Sequence, residues 1–168
     1  MKANGFKCFI GPLLILLLTG CGYSNQELYP DQYRTVAVPI FENRTFYRGV
    51  EDQLTEAVIK QLEQRTPYKR VAAATADTLL LVTVTNVQQA QLSRTRTGSI
   101  PQELEVLVTV DLEWKDLATG ETLLSRRGFS GPGRYIPTAG ISDRPEYGQW
   151  TAVDQLASRI VSTLRDDW

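Results

Sequence analysis

Over residues 103–114 the chain alternates without a break. Leu104, Val106, Val108, Val110, Leu112 and Trp114 fall on one side, and Glu103, Glu105, Leu107, Thr109, Asp111 and Glu113 on the other. A period of two held for this long marks a strand with one buried and one wet face. No other stretch constrains the fold as strongly, because such a strand needs sheet partners at its edges and apolar cover on one side.

The sequence supplies both. Residues 79–91 read as a second long strand, with Leu79, Leu81, Thr83, Thr85 and Val87 alternating with Leu80, Val82, Val84 and Asn86. Residues 116–121 form a hairpin turn, Gly120 taking the positive φ, into a further strand over residues 122–130. Residues 35–41 read as the first strand, apolar on both faces: Val36, Val38 and Ile40 against Ala37, Pro39 and Phe41. Pro39 has no N–H for a ladder, so it belongs at an edge, a bulge or a strand end. The cover comes from two helices. One runs over residues 49–65 with Val50, Leu54, Ala57, Val58 and Leu62 on a stripe, and Thr66-Pro67 stops it. The other runs over residues 146–166, with Trp150, Val153, Leu156, Ala157, Ile160, Val161 and Leu164 on its apolar face. Between the last strand and this helix, the Gly- and Pro-rich residues 131–146 read as an irregular loop exposing Arg134 and Tyr135. The order is β-α-β-β-β-α. The economical solution is an α+β two-layer sandwich, a four-stranded, mostly antiparallel sheet with both helices on one face.

Ahead of this domain the chain is organised for export. Lys2 and Lys7 precede an apolar run over residues 9–18, about ten residues, and Leu18-Thr19-Gly20-Cys21 follows. A positive n-region, a short apolar core and a small-residue site make a secretory signal peptide. The run is half of the roughly 20 residues a membrane-spanning helix needs. Cys21 directly after Gly20 is the pattern of a bacterial lipobox, in which the sulfur receives a diacylglycerol and cleavage makes Cys21 the new N-terminus. The expected division is therefore residues 1–20 as signal peptide, 21–34 as lipidated cysteine and short linker, and 35–168 as a single α+β domain. The linker spans roughly 40 Å when extended. Gly22, where an aspartate would retain a lipoprotein in the inner membrane, favours the outer membrane. The other cysteine, Cys8, lies in the discarded peptide, so no intramolecular disulfide is expected and the fold rests on its core.

Composition narrows the chemistry. Removal of residues 1–20 leaves 16 basic against 19 acidic side chains, a net charge of −3. That is a poor balance for nucleic-acid binding, which relies on many Lys and Arg to release counterions. The chain has no histidine. With its one mature cysteine lipidated, the usual structural zinc sites and a Ser-His-Asp or Cys-His pair are excluded. No Gly-rich phosphate loop or internal repeat occurs. No metal, cofactor or catalytic residue is expected, and the composition points to a binding or assembly protein.

Two features are candidates for function. Arg94 and Arg96 stand in the polar connection before the alternating strand, and Arg126 and Arg127 on the strand after it. Arginine forks suit bidentate phosphate recognition; a charged, solvated strand edge is the other reading of the same residues. The alternating strand itself, about 40 Å long, either projects a loop into a partner or forms a plain twisted hairpin.

The stretch Val36-Ala37-Val38-Pro39-Ile40-Phe41-Glu42-Asn43-Arg44-Thr45, followed by Gly49-Val50-Glu51 and Leu54-Thr55, resembles the LPS-assembly lipoprotein family (LptE). Ala76-Asp77 before a strand, the long alternating strand, Thr119-Gly120-Glu121 and the lipobox with Gly22-Tyr23 extend the resemblance over nearly the whole chain. It implies a non-enzymatic outer-membrane lipoprotein with the same two-helix, four-stranded fold. Such a protein sits in the lumen of a large outer-membrane β-barrel (LPS-assembly protein LptD), plugs it and aids its assembly. The two deliver lipopolysaccharide to the cell surface. The resemblance also implies lipopolysaccharide as a ligand of the lipoprotein, with Arg94, Arg96, Arg126 and Arg127 as candidate contacts. The opening over residues 36–45 is similar as well to other envelope lipoproteins, activators of peptidoglycan synthases and curli-secretion-type proteins. Their partners are a penicillin-binding protein or a secretion ring. The short linker, and the long middle hairpin followed by a single closing helix, favour the first family.

Overall fold

The computed structural model describes Tyr29 and residues 32–94, 101–135 and 145–166. In chain order the elements are β1 (Thr35–Ala37), β2 (Glu42–Asn43), α1 (Val50–Arg65), β3 (Lys69–Arg70), β4 (Thr78–Arg94), β5 (Pro101–Asp116), β6 (Thr122–Tyr135) and α2 (Pro145–Asp166). A 3-10 turn, Ala73–Thr75, precedes β4. The fold is the expected α+β, two helices on a sheet, but the sheet is mixed and has six strands rather than four. Its order is β3-β1-β4-β5-β6, with β2 also on β4. β4, β5 and β6 are antiparallel neighbours, whereas β1 runs parallel to both β3 and β4, and β2 parallel to β4.

Of the two extra strands, β3 is the short extended piece after α1, and β2 comes from a proline. The expected first strand is cut in two around Pro39, because a residue without an N–H cannot continue the ladder. Ala37 pairs with Leu79 and Glu42 with Thr83, so five steps on one side match four on the other and one residue bulges out. Pro39 and Ile40 point to solvent, Ile40 at 73% exposure, while Val38 and Phe41 turn into the core. The break leaves the Phe41 N–H without a strand partner. It donates instead to Thr55 Oγ1 on α1 at 3.0 Å, and that hydroxyl donates to Glu51 O. A buried threonine on the apolar stripe of α1 is thereby satisfied.

Helix α1 starts at Gly49, whose φ of 83° a side chain would disfavour, with Glu51 and Asp52 in the first turn where the helix dipole favours negative charge. Its buried stripe is Val50, Leu54, Thr55, Val58, Gln61 and Leu62. Helix α2 covers β5 and β6 and packs along α1. Its stripe runs from Ala152 through Val153, Leu156, Ala157, Ile160 and Val161 to Leu164. Trp150, expected on that face, is half exposed and makes an edge-to-face pair with Tyr147 at 5.2 Å.

A second difference lies at the end of β6. Residues 131–135, expected as loop, continue the strand, pairing Gly131 with Val108, Gly133 with Val106 and Tyr135 with Leu104. The glycines are small because α2 lies on them. A Cβ on Gly131 would stand 2.7 Å from Leu156 Cβ, and one on Gly133 would strike the backbone of Gly148 and Ala152. Tyr135 is accordingly buried, not exposed, and accepts a hydrogen bond from Gln89 Nε2. Arg134 is exposed but ion-paired to Glu105.

The alternating strand behaves as its pattern requires. Val106, Val108, Val110, Leu112 and Trp114 are buried against the helices. On β4 the same face holds Leu80, Val82, Val84 and then Val87, because the register slips at Thr85. The bulge puts Val87 in the core in place of Asn86.

Candidate functional site

The helix-free face of the sheet carries most of the charged contacts. Arg44 pairs with Glu42 at 3.1 Å, and Thr83 Oγ1 donates to the same carboxylate. These contacts, the Arg44 hydrogen bond first, hold Glu42 below the usual carboxylate range. Lys115 pairs with Glu113 at 3.1 Å, and Thr122 Oγ1 also donates to Glu113. Half-buried Leu81 and Leu107 lie among these groups. Exposed pairs of this kind contribute little stability. What they do is present a broad face that is polar and locally neutralised.

The described candidate arginines do not form one cluster. Arg94 is the last residue of β4, opposite Pro101, and Arg96 lies outside the described residues. Arg126 stands opposite Leu112 in the middle of β6. From Pro101 to Leu112 along β5 is about 36 Å at roughly 3.3 Å per residue. The sequence order already sets the two pairs apart along the hairpin, and the register supplies the distance. Arg126 and Arg127 are exposed at a bulge closed by Gly128, whose φ is 65° and whose N–H donates to Asp111 Oδ1 at 2.8 Å. A carboxylate therefore lies against the Arg127 position. Arg134, at the Arg94 end of the hairpin, is a basic residue that the loop assignment of residues 131–146 kept out of the candidate set, and Glu105 engages it.

Cys21 lies outside the described residues. Of the stretch expected as linker, the described Tyr29 and Tyr33 both contact the domain. Tyr29 OH donates to Arg65 O at 3.0 Å, and its ring meets Tyr68 edge-on at 5.5 Å. Tyr68 in turn meets Trp114 at 5.8 Å, and Trp114 meets Tyr33 at 6.3 Å. Tyr33 OH donates to Asp116 Oδ2. The four rings clasp the incoming chain to the end of the domain that carries the β5–β6 turn. The signal in the sequence was the tyrosine spacing in an otherwise polar segment, Tyr29 and Tyr33 flanking one turn's length. Burial pushes the Tyr68 phenol well above its ordinary pKa.

Beside the clasp is an open cavity of about 610 Å³ lined by Gln32, Tyr33, Asp77, Asp116, Leu117 and small alanines. Its two carboxylates have structural duties. Asp77 Oδ2 accepts from Arg34 N, Thr35 N and Thr35 Oγ1, and these bonds, the Arg34 amide first, lower its pKa. Asp116 Oδ1 accepts from the Ala118 and Thr119 amides of the hairpin turn, which lower its pKa. Among the described residues no group of three His, Cys, Asp or Glu side chains is placed to hold a metal ion, and no described helix is long and apolar enough to cross a membrane.

Solved structures share this architecture at low identity. PelC from Paraburkholderia phytofirmans, a dodecamer, superposes with a TM-score of 0.55 at 18% identity, over 82% of this chain and 92% of that one. A minor lipoprotein from Acinetobacter baumannii gives 0.52 at 15% identity, over 80% and 94%. An uncharacterized lipoprotein B from Nitrosomonas europaea gives 0.56 at 13%, over 87% and 90%. At such identities they establish the fold alone. No curated protein matches the chain. The family model for lipopolysaccharide assembly, LptE, matches residues 33–164, from the clasp through the last buried leucine of α2. With the polar sheet face, the two-helix cover and a match of that length, the chain belongs to the LptE family of lipopolysaccharide-assembly lipoproteins.

Proposed function

We propose that the protein is an outer-membrane lipoprotein, anchored on the periplasmic face through a diacylated Cys21. It would seat in the lumen of a large β-barrel, the LPS-assembly protein LptD, as a plug that aids barrel assembly and lipopolysaccharide delivery. The observation that carries this beyond the family is the helix-free sheet face. The lumen of a large barrel is polar, so a globule held inside one needs a wall without a large apolar patch and without strong unpaired charge. The Glu42–Arg44, Glu113–Lys115 and Glu105–Arg134 pairs build such a wall across β2, β4, β5 and β6. The clasp fits the same arrangement, since it leaves only residues 22–28 between Cys21 and the domain. Lipopolysaccharide contact is assigned to Arg94 and Arg96 at the far end of the hairpin, with Arg126 and Arg127 as the second candidate pair. No catalytic step is proposed.

The test is purification of the protein from membranes in mild detergent, with co-purifying proteins identified by mass. A large outer-membrane β-barrel protein in stoichiometric amount is expected. A peptidoglycan synthase instead, or only further copies of this chain, would overturn the plug assignment while leaving the fold unaffected.

A further inference from the structure

Among the described residues the edges of the sheet are not treated alike. β3 is two residues long and basic, Lys69–Arg70. β6 is long but carries Arg126, Arg127, Pro132 and the Gly128 bulge, devices that discourage a further strand. The remaining edge is the part of β4 beyond β2. Among the described residues no strand pairs with that side of β4 after Val84, whose carbonyl accepts the last bond from Arg44 N. There the strand reads Asn86-Val87-Gln88-Gln89-Ala90, with no charge and no proline. Residues 86–90 stand opposite Thr109, Val108, Leu107, Val106 and Glu105 on β5, and in such a ladder every second residue turns its N–H and C=O to the free side.

Beside this edge is a half-enclosed cavity of about 130 Å³, lined by Val87, Gln88, Gln89, Val106, Tyr47, Glu146 and Gln149. A dry cavity of about 150 Å³ takes a benzene ring, so this one has the size of a single large side chain and is too small for most ligand molecules. One wall is aromatic, Tyr47, which is about half exposed. Among the described residues Glu146 is the one charged group in the lining. A sheet edge with a side-chain pocket next to it is the arrangement by which strand addition obtains affinity from backbone bonds and selectivity from alternate side chains.

We propose that residues 86–90 of β4 accept an extended peptide segment of a partner protein as an added strand, with one large apolar side chain in the cavity and a basic side chain against Glu146. This inference does not rest on the barrel or lipopolysaccharide assignment. A second copy joined edge to edge does not fit, because the same stretch of β4 offers Val87, already buried in its own core, and otherwise only Asn, Gln and Ala.

The test uses the full chain in detergent and a phage-displayed library of random dodecapeptides, followed by synthetic peptides of the selected sequences. Selected peptides should share one large apolar residue with a basic residue near it. N-methylation of alternate peptide amides should weaken binding tenfold or more, and methylation of the intervening amides should not. Peptide should slow hydrogen exchange at the Val87 and Gln89 amides. Replacing the basic residue of the peptide should weaken binding several-fold to the parent protein and not to Glu146→Gln. Failure to select any common pattern would overturn the proposal. So would indifference to N-methylation, or peptide-free dimers in which the Val87 and Gln89 amides are already protected, since a second copy would then hold the edge.

Discussion

Asp77 joins two parts of the chain that are far apart in sequence, and it does so as an anion. Its Oδ2 accepts two amides and a hydroxyl from Arg34 and Thr35, where β1 begins. Those bonds lower its pKa in the folded state. A depressed carboxylate stabilises the fold above its unfolded pKa of about 3.9, and that contribution disappears as the pH falls through the folded value. Asp77→Asn is therefore expected to lower the urea midpoint at pH 7, and the gap from the parent should close below about pH 4. A gap independent of pH would mean that the charge plays no part. Gly133 is the sterner case. Any Cβ there meets backbone atoms of Gly148 and Ala152 that have no rotamer to escape into. Gly133→Ala should cost about 3 kcal/mol or more, at the upper end of overpacking effects. Gly131→Ala, which meets Leu156 and Ala152, should cost less. A denaturant midpoint for Gly133→Ala equal to the parent's would show that α2 stands off the strand.

At the level of elements, the alternating strand is the best test of the core. Val108 is fully buried in the middle of β5. Val108→Asp would place an unpaired charge beneath both helices, a burial the fold cannot compensate. The variant should be unfolded at room temperature, by loss of its near-ultraviolet circular dichroism. A native-like spectrum would move the core elsewhere. This strand was legible in sequence because its period is uninterrupted, as were the stripes of α1 and the later turns of α2. The misread segments share a physical cause: a local signal decided by a tertiary contact. Gly131-Pro132-Gly133 has the composition of a loop but is a strand, since its missing side chains make room for α2. Asn86 has the parity of a core residue, and the slip at Thr85 exchanges it for Val87. Pro39 announced a break, but not that both halves would line up on β4. The candidate arginines were recognisable as residue types. That they form two spots was also legible from the hairpin order, but the distance between them was not, because it depends on the register of two hairpins.

For the whole molecule, the separation has a consequence for any anionic ligand. About 36 Å of strand separates the backbone positions of Arg94 and Arg126, a span that a small headgroup does not cover. Asp111 lies against the bulge at Arg127, so the Arg94 end is the better assignment. Arg94→Ala with Arg96→Ala should weaken lipopolysaccharide binding about tenfold or more, whereas Arg126→Ala with Arg127→Ala should leave it nearly unchanged. Both should retain the parent circular dichroism spectrum. Equal weakening by both would point to diffuse charge, and no weakening by either would return all four to a solvated surface.

The same scale governs the anchor. From Cys21 to the first packed ring, Tyr29, is a reach of about 28 Å at full extension. If the clasp were absent and the chain free up to β1, the reach would be nearer 50 Å. If Cys21 carries the proposed lipid, the Tyr29–Arg65 and Tyr33–Asp116 bonds hold the β5–β6 turn of the domain close to the membrane. Because Cys21 precedes every described residue, Cys21→Ala should melt at the parent temperature and yet leave the membrane fraction for the soluble one. Tyr29→Ala with Tyr33→Ala should do the reverse, remaining in the membrane but melting lower through the loss of two rings against Tyr68 and Trp114. Retention of the Cys21→Ala variant in the membrane would mean that protein contacts, not a lipid on that sulfur, keep this chain at the surface.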